Sequence, residues 1–445
     1  MWPLFFGLGI IGLCIGAQGS LLGIRAELEG FDTLATGLLM SGYYVGFLLG
    51  SLRAPAIIQR VGHVRAFAAL TALASMTILV HSVLVDPWVW GLMRLLTGFA
   101  VSAIYVVAES WLNQAADNRT RGQLLSLYMI TMLAGLSAGQ FLLNLSDPAG
   151  FELFTLISIL ISLAAIPILI TATPMPAFES ARPVSIATLY RLAPTGLVGS
   201  FLINACYAMV LGMGSVYASR LGMRVEQIAL FMALLVLGGM LLQWPLGRLS
   251  DSRDRRTVIA ASAVAALLFA LISAQVGLTD NHSHLLLALL FGGTCFPLLA
   301  LYLALTNDQL EADQATGASS TLLLVGGVGA SIGPFLISLT MDRWGPASFF
   351  WSLAAMAALM AAHALYKRIS DPFPSTSEST SPFQMQAPFP VGSVLMESMP
   401  GRTAKANRPS TTTPRRPAKS AAPRLSARPR RAWRRRYRLS LAPHF

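Results

Sequence analysis

The sequence predicts an all-α membrane protein of twelve transmembrane helices arranged as two six-helix, pseudo-symmetric halves. Three observations predict it. Of 445 residues, 54% are apolar and only 12% charged, which leaves too little polar surface for a water-facing domain of this length. The apolar residues collect in runs of about 20, the length a helix needs to cross a hydrocarbon core of about 30 Å. Segments of the first half also recur in the second at a nearly constant offset, the mark of a duplicated architecture.

The spans, taken in order, cover residues 3–24, 34–58, 66–85, 88–112, 122–145 and 151–172 in the first half. Those of the second half cover 195–218, 227–248, 257–277, 284–305, 317–340 and 347–366. Met1-Trp2-Pro3 carries no basic segment ahead of the first run, so that run reads as a retained span and not as a signal peptide. Short polar turns join nearly all the spans. The exception is Thr173 to Pro194, with four prolines, which reads as a cytoplasmic linker (173–194) between an N-terminal bundle (1–172) and a C-terminal bundle (195–370).

Arginine and lysine orient the chain, because positively charged loops stay in the cytoplasm. Loops after even-numbered spans, with the segment after the twelfth, carry Arg53, Arg60, Arg65, Arg119, Arg121, Arg182, Arg191, Arg248, Arg253, Arg255, Arg256, Lys367 and Arg368; the opposite side carries Arg25, Arg220, Arg224 and Arg343. Both termini are therefore expected inside. One loop dissents: Asn307 to Gln314 should be cytoplasmic yet holds only acids and amides.

The net charge of +12 is concentrated at one end. Residues 371–445 hold 14 Lys/Arg against 3 Asp/Glu, whereas residues 1–370 hold 18 against 17. The tail is rich in Pro, Ser, Ala and Arg and is expected to be disordered. It reads either as a polybasic segment touching anionic lipid or as the product of a shifted frame in a GC-rich gene; a specific nucleic-acid interface is not expected of it. Cys14, Cys206 and Cys295 lie singly in apolar runs, and only His282 and His284 approach ligand spacing. No disulfide framework, metal site or cofactor is predicted. Phosphate-binding glycine loops in strand context are missing, which disfavours direct ATP drive, and no clustered nucleophile or carboxylate pair suggests an enzyme.

The repeat is carried by two independent segments. Gly135-Leu-Ser-Ala-Gly139-Gln140-Phe in span 5 matches Gly329-Ala-Ser-Ile-Gly333-Pro334-Phe in span 11, 194 residues on, and the loop from Gln59 matches that from Asp251, 192 residues on. Parallel repeats of this kind enclose a cavity between the halves. The loop Gly247-Arg248-Leu249-Ser250-Asp251 with Arg255-Arg256, its degraded copy Arg60, Gly62 and Arg65, and Arg94-Leu-Leu-Thr-Gly98 in span 4 resemble motifs of the major facilitator superfamily. Gln243-Trp-Pro-Leu-Gly-Arg-Leu-Ser-Asp251 with Val107-Ala-Glu109-Ser110 is similar, more narrowly, to the YcaD-like group of bacterial transporters. The resemblance covers residues 1–370.

It implies a secondary active transporter of a small solute working by alternating access as a monomer in the plasma or bacterial inner membrane, proton-coupled; efflux is favoured because the body offers no cationic array for a polyanion. A facilitated uniporter and a non-transporting receptor or scaffold are the alternatives. Arg94 stands six residues past Trp88, roughly 9 Å below the outer face. A guanidinium there must face the bundle interior, and the resemblance implies proton coupling or gating; the rival reading is a structural hub. Glu109, 15 residues on and about 22 Å deeper, suits a proton carrier or gate acid, or else a surface acid near Arg119 and Arg121. Gln18, Gln140, Asn204 and Tyr207 are polar groups within spans and should point inward. They read as cavity contacts, since the resemblance places spans 1 and 7 along the cavity, or as interhelical hydrogen bonds. Arg60, Gly62, Arg65, Gly247, Asp251, Arg255 and Arg256 read as cytoplasmic latches. Gly135, Gly139, Gly326, Gly329 and Gly333 allow close helix approach, either for movement where the halves meet or for packing alone.

Overall fold

The computed structural model describes residues 2–115, 121–170, 184–276, 281–310 and 312–370. The first part of the expected linker, 173–183, and the whole basic tail, 371–445, lie outside the described residues.

Every regular element among the described residues is helical. The first half contains α1 (Trp2–Leu28), α2 (Thr33–Val61), α3 (His63–Val83), α4 (Pro87–Ala115), α5 (Arg121–Gly139) with a 3-10 turn (Gln140–Leu145), and α6 (Glu152–Ile170). After a short α7 (Ile186–Leu192) come α8 (Pro194–Arg220), α9 (Val225–Ser252), α10 (Arg255–Val276), α11 (Asn281–Cys295), α12 (Leu298–Asp308), α13 (Ala312–Trp344) and α14 (Ser348–Ser370). Twelve stretches are long and apolar enough to cross a bilayer, the number read from the sequence. Most helices run a few residues past their apolar runs.

The tenth span departs from expectation. It is broken between α11 and α12 at Phe296-Pro297, because a proline has no N–H to continue the ladder and its ring crowds the preceding turn. At the break the Phe296 carbonyl accepts from the Leu299 N–H at 3.4 Å, a 3-10-type contact. Tyr207 donates its hydroxyl to that oxygen at 3.1 Å and stacks on the Phe296 ring, centroids 4.1 Å apart.

Each helix pairing in the first half has its counterpart in the second. α1 packs on α5 as α8 packs on α13, α2 on α4 as α9 on α11, and α3 on α6 as α10 on α14. The glycines of spans 5 and 11 make these pairings possible. A Cβ at Gly139 would collide with the Leu13 carbonyl, and one at Gly333 with that of Ala205; Gly135 meets the Gly9 carbonyl as Gly329 meets that of Phe201. These glycines therefore close helices within each half and do not form the surface between the halves. Gly30 and Gly222, 192 residues apart, end α1 and α8 with φ of 72° and 74°, a left-handed turn that costs glycine nothing.

The described end of the linker is bound to the second half. The Val184 N–H donates to the Gly317 carbonyl at 3.1 Å, the Thr321 hydroxyl donates back to the Val184 carbonyl, and Leu189 of α7 is buried with Leu197, Leu303 and Leu322. The halves meet through α1 on α8, α2 on α13 and α5 on α9. Gly23 abuts Ser215, Gly37 abuts Ser338, Gly212 lies against Met40, and Ser137 donates to the Ala233 carbonyl at 3.1 Å. These contacts lie toward the bundle end away from the chain termini, where the Arg220 Nε also meets both Glu27 oxygens at 2.9 and 3.0 Å.

Candidate functional site

A cavity of about 800 Å³ lies between the halves, walled by α1, α2, α4 and α5 and by Leu211 and Met232 of the second half. Arg94, Gln18 and Gln140 line it together with Tyr43, Tyr44, Tyr105 and Tyr128. A seam of small residues sets the position of Arg94. α4 starts at Pro87, where the Asp86 side chain accepts from the backbone of Trp88 and Val89 at 2.9 and 3.0 Å, satisfying two of the free donors of a helix start. α4 then packs against α2 so closely that a Cβ at Gly46 would run into the Leu95 carbonyl, one at Gly50 into Phe99, and one at Gly98 into the Tyr43 carbonyl. This brings the Arg94 guanidinium carbon to 4.4 Å from the Tyr43 ring centroid.

Arg94 is 4% exposed and its Nε has no hydrogen-bond partner. No described carboxylate pairs with it. A cation–π contact returns about 2 kcal/mol when desolvated, less than the several kcal/mol that taking an unpaired ion out of water costs. Gln18 is 2% exposed and its Nε2 is likewise without an acceptor. Two donors, one charged, thus border the same space unsatisfied. Gln140 differs: its Oε1 accepts from Ser20 at 2.6 Å and its Nε2 donates to the Gly16 carbonyl at 2.8 Å, tying α1 to the end of span 5.

Glu109 is buried, not a surface acid, and its Oε1 accepts from the Tyr128 hydroxyl at 3.0 Å. Because Tyr128 lines the cavity, Glu109 is joined to it through one side chain. Next to it, Ser110 bonds His63 Nε2 at 2.8 Å, and His63 stacks against Trp111. Asn204 lines a second cavity of about 510 Å³ and donates to the Ser200 carbonyl of its own helix at 2.8 Å. Tyr207 lines neither cavity; its hydroxyl serves the helix break described above.

The two loop clusters are unequal. Arg255 is wholly buried and bridges Asp251 at 2.8 Å and Asp308 at 2.7 Å. Asp308 closes α12, so the acidic loop that breaks the charge pattern supplies a counter-ion. Gly247 is buried under the same turn and Arg256 is half-buried. Arg60 and Arg65 are exposed and make no ion pair with any described residue; Gly62 turns the chain between α2 and α3 at φ 81°. The sequence reading passed over Asp308, Glu27, His63 and the four tyrosines. Hydroxyl-bearing rings inside apolar spans were the available signal for the tyrosines. No group of three or more His, Cys, Asp or Glu side chains suited to a metal occurs among the described residues.

Twelve apolar helices in two like halves around a central cavity define a membrane carrier. The profile of the Major Facilitator Superfamily matches residues 4–327 and again 197–439, the second match running past residue 370. The chain belongs to that superfamily, whose members are transporters and not enzymes. It is 26% identical over 356 residues to an uncharacterized MFS-type transporter of Yersinia pestis, covering 80% of this chain and 92% of the relative. The MFS-type transporter YcaD of Escherichia fergusonii is 25% identical over the same shares of each chain. Among solved structures, the nucleoside transporter NupG superposes with a TM-score of 0.65 at 14% identity, covering 82% of this chain and 96% of NupG. The D-xylose-proton symporter superposes at 0.63 and 12% identity, covering 85% and 99%. Both likenesses are of fold.

Proposed function

We propose that the protein is a secondary active transporter that moves a small solute by alternating access across the bacterial inner membrane, coupled to protons and favouring export. One observation carries the reading: an interhelical cavity is lined by a buried cation with no hydrogen-bond or ion-pair partner among the described residues. A ligand that supplies the missing partner would bind there and change the balance between conformations. Glu109, joined to the cavity wall by Tyr128, is the proton-carrying acid in this reading.

The excess of arginine in alternate loops supports cytoplasmic termini. With that orientation, the inter-half contacts and the Glu27–Arg220 pair lie on the outer side, so the conformation is closed outward. Arg255 with Asp251 and Asp308 is then a cytoplasmic brace of the second half.

Reconstitution of the full chain into liposomes with an imposed pH gradient tests the proposal. The expected result is gradient-dependent movement of at least one solute, lost in Arg94→Ala and reduced in Glu109→Gln. Movement indifferent to the gradient would replace coupling by facilitated uniport. Failure of every solute to move would leave a binding or scaffold role.

A further inference from the structure

The polar groups of the cavity select for one kind of ligand. Its single charge is the Arg94 guanidinium, which makes no ion pair with any described residue. Among the described residues no Asp or Glu lines the space, and no second Lys or Arg does. A cationic ligand would add like charge to a buried cation, and a neutral one would leave it uncompensated. A dianion would bring one charge more than the wall can answer. The charge count therefore fits a monoanion.

The second free group is a directional donor. Gln18 Nε2 is buried without an acceptor on the wall of the same cavity, and a planar oxyanion has oxygens enough to accept from both a guanidinium and an amide. Arg94 approaches the Tyr43 ring at 4.4 Å and forms no hydrogen bond within the described protein, so its N–H groups remain available. The rest of the wall is largely aromatic and aliphatic: Tyr44, Phe47, Tyr105, Met132 and Leu136 stand around the polar pair. Chloride would answer the charge but would leave the aromatic wall uncovered. A ring-bearing acid answers the charge and covers the aromatic wall.

We infer that the cavity binds an aromatic monocarboxylate, its carboxylate held between Arg94 and Gln18 and its ring against the tyrosine wall. The inference rests on the transporter reading above only for the statement that the bound acid is also moved.

Calorimetric titration of the full chain in lipid nanodiscs tests the binding. The probes are benzoate, 4-hydroxybenzoate, 1-naphthoate and indole-3-acetate, each paired with its uncharged primary amide, with acetate, phthalate and chloride as controls. At least one aromatic acid is expected to bind at least about tenfold tighter than its amide, since one charge-assisted contact is worth about that factor or more. Acetate, phthalate and chloride should bind more weakly than that acid. Arg94→Gln should remove the difference between acid and amide, Arg94→Lys should retain part of it, and Gln18→Leu should weaken the acid by a smaller factor. Should Arg94→Gln fail to fold, the acid–amide comparison on the unaltered protein and Gln18→Leu still decide.

Equal affinity for acids and amides, binding of chloride alone, or binding by none of the acids would overturn the inference. Uptake measured in liposomes separates it from the transporter reading. Acids that bind but never cross would leave the site assignment standing and remove transport. A neutral or cationic solute that crosses, with no competition from the acids, would do the reverse.

Discussion

At the scale of single residues, burial decides which polar contacts carry stability. Arg255 is wholly buried; its partner Asp308 is 2% exposed and its other partner Asp251 is 39% exposed. Removing a buried counter-ion leaves a charge in a low dielectric, at a cost of about 3 kcal/mol or more, whereas an exposed partner contributes about 1 kcal/mol or less. Asp308→Ala should therefore lower the detergent-melting stability far more than Asp251→Ala; equal losses would show that the buried contact is not the stronger one. Tyr207 and Gln18 form an opposing pair. Tyr207→Phe removes the hydrogen bond to the Phe296 carbonyl at the helix break and should cost about 1 kcal/mol without changing ligand affinity. Gln18→Leu removes an amide nitrogen that has no partner and should leave stability unchanged or raised while affinity falls. Loss of affinity in Tyr207→Phe would restore that residue to the cavity. The sequence announces that Tyr207 and Gln18 must face inward, since neither suits lipid, but it does not distinguish a helix break from a cavity as the destination.

At the scale of elements, length and hydropathy suffice to find twelve spans, because the run a helix needs follows from the thickness of the bilayer. The interruption of the tenth span was readable in principle from Pro297, yet a proline bends some membrane helices and breaks others according to what satisfies the freed carbonyl. Asp308 was not readable as a partner of Arg255, since the pairing depends on how α12 returns beside α10. The seam of α2 and α4 lies between these cases. Gly42, Gly46 and Gly50 repeat at four-residue spacing, the pattern of close helix approach, and they fix where Arg94 and Tyr43 stand. Gly46→Ala should separate the two helices and cost both melting stability and ligand affinity, because the added carbon meets the Leu95 carbonyl. Gly91→Ala on α4, where the added carbon would meet nothing within 4 Å, should be tolerated in both assays. If Gly46→Ala binds and melts like the parent protein, the seam does not position the guanidinium.

At the scale of the whole molecule, the described residues of the two halves touch, at the end away from the termini, through close glycine contacts, the Ser137 hydrogen bond and an ion pair. Glu27 and Arg220 belong to α1 and α8, the first helix of each half, and their side chains are 17% and 26% exposed. A pair that wet is screened by salt and contributes about 0.2–1 kcal/mol, enough to bias a two-state equilibrium by at most about fivefold. It can trim the closed state but cannot hold it alone; the packing of Gly23 on Ser215 and of Gly37 on Ser338 must supply the rest. Glu27→Gln should accordingly raise the open population at that end by a few-fold, with no loss of fold. Spin labels placed at the exposed positions Asp32 and Arg224 would read this as a modest growth of the longer-distance component. High salt should produce a similar growth in the parent protein and little more in the variant. A complete switch to the open state would mean that the ion pair alone holds the halves together. A distance distribution unchanged by both the substitution and salt would mean that the glycine packing closes this end unaided.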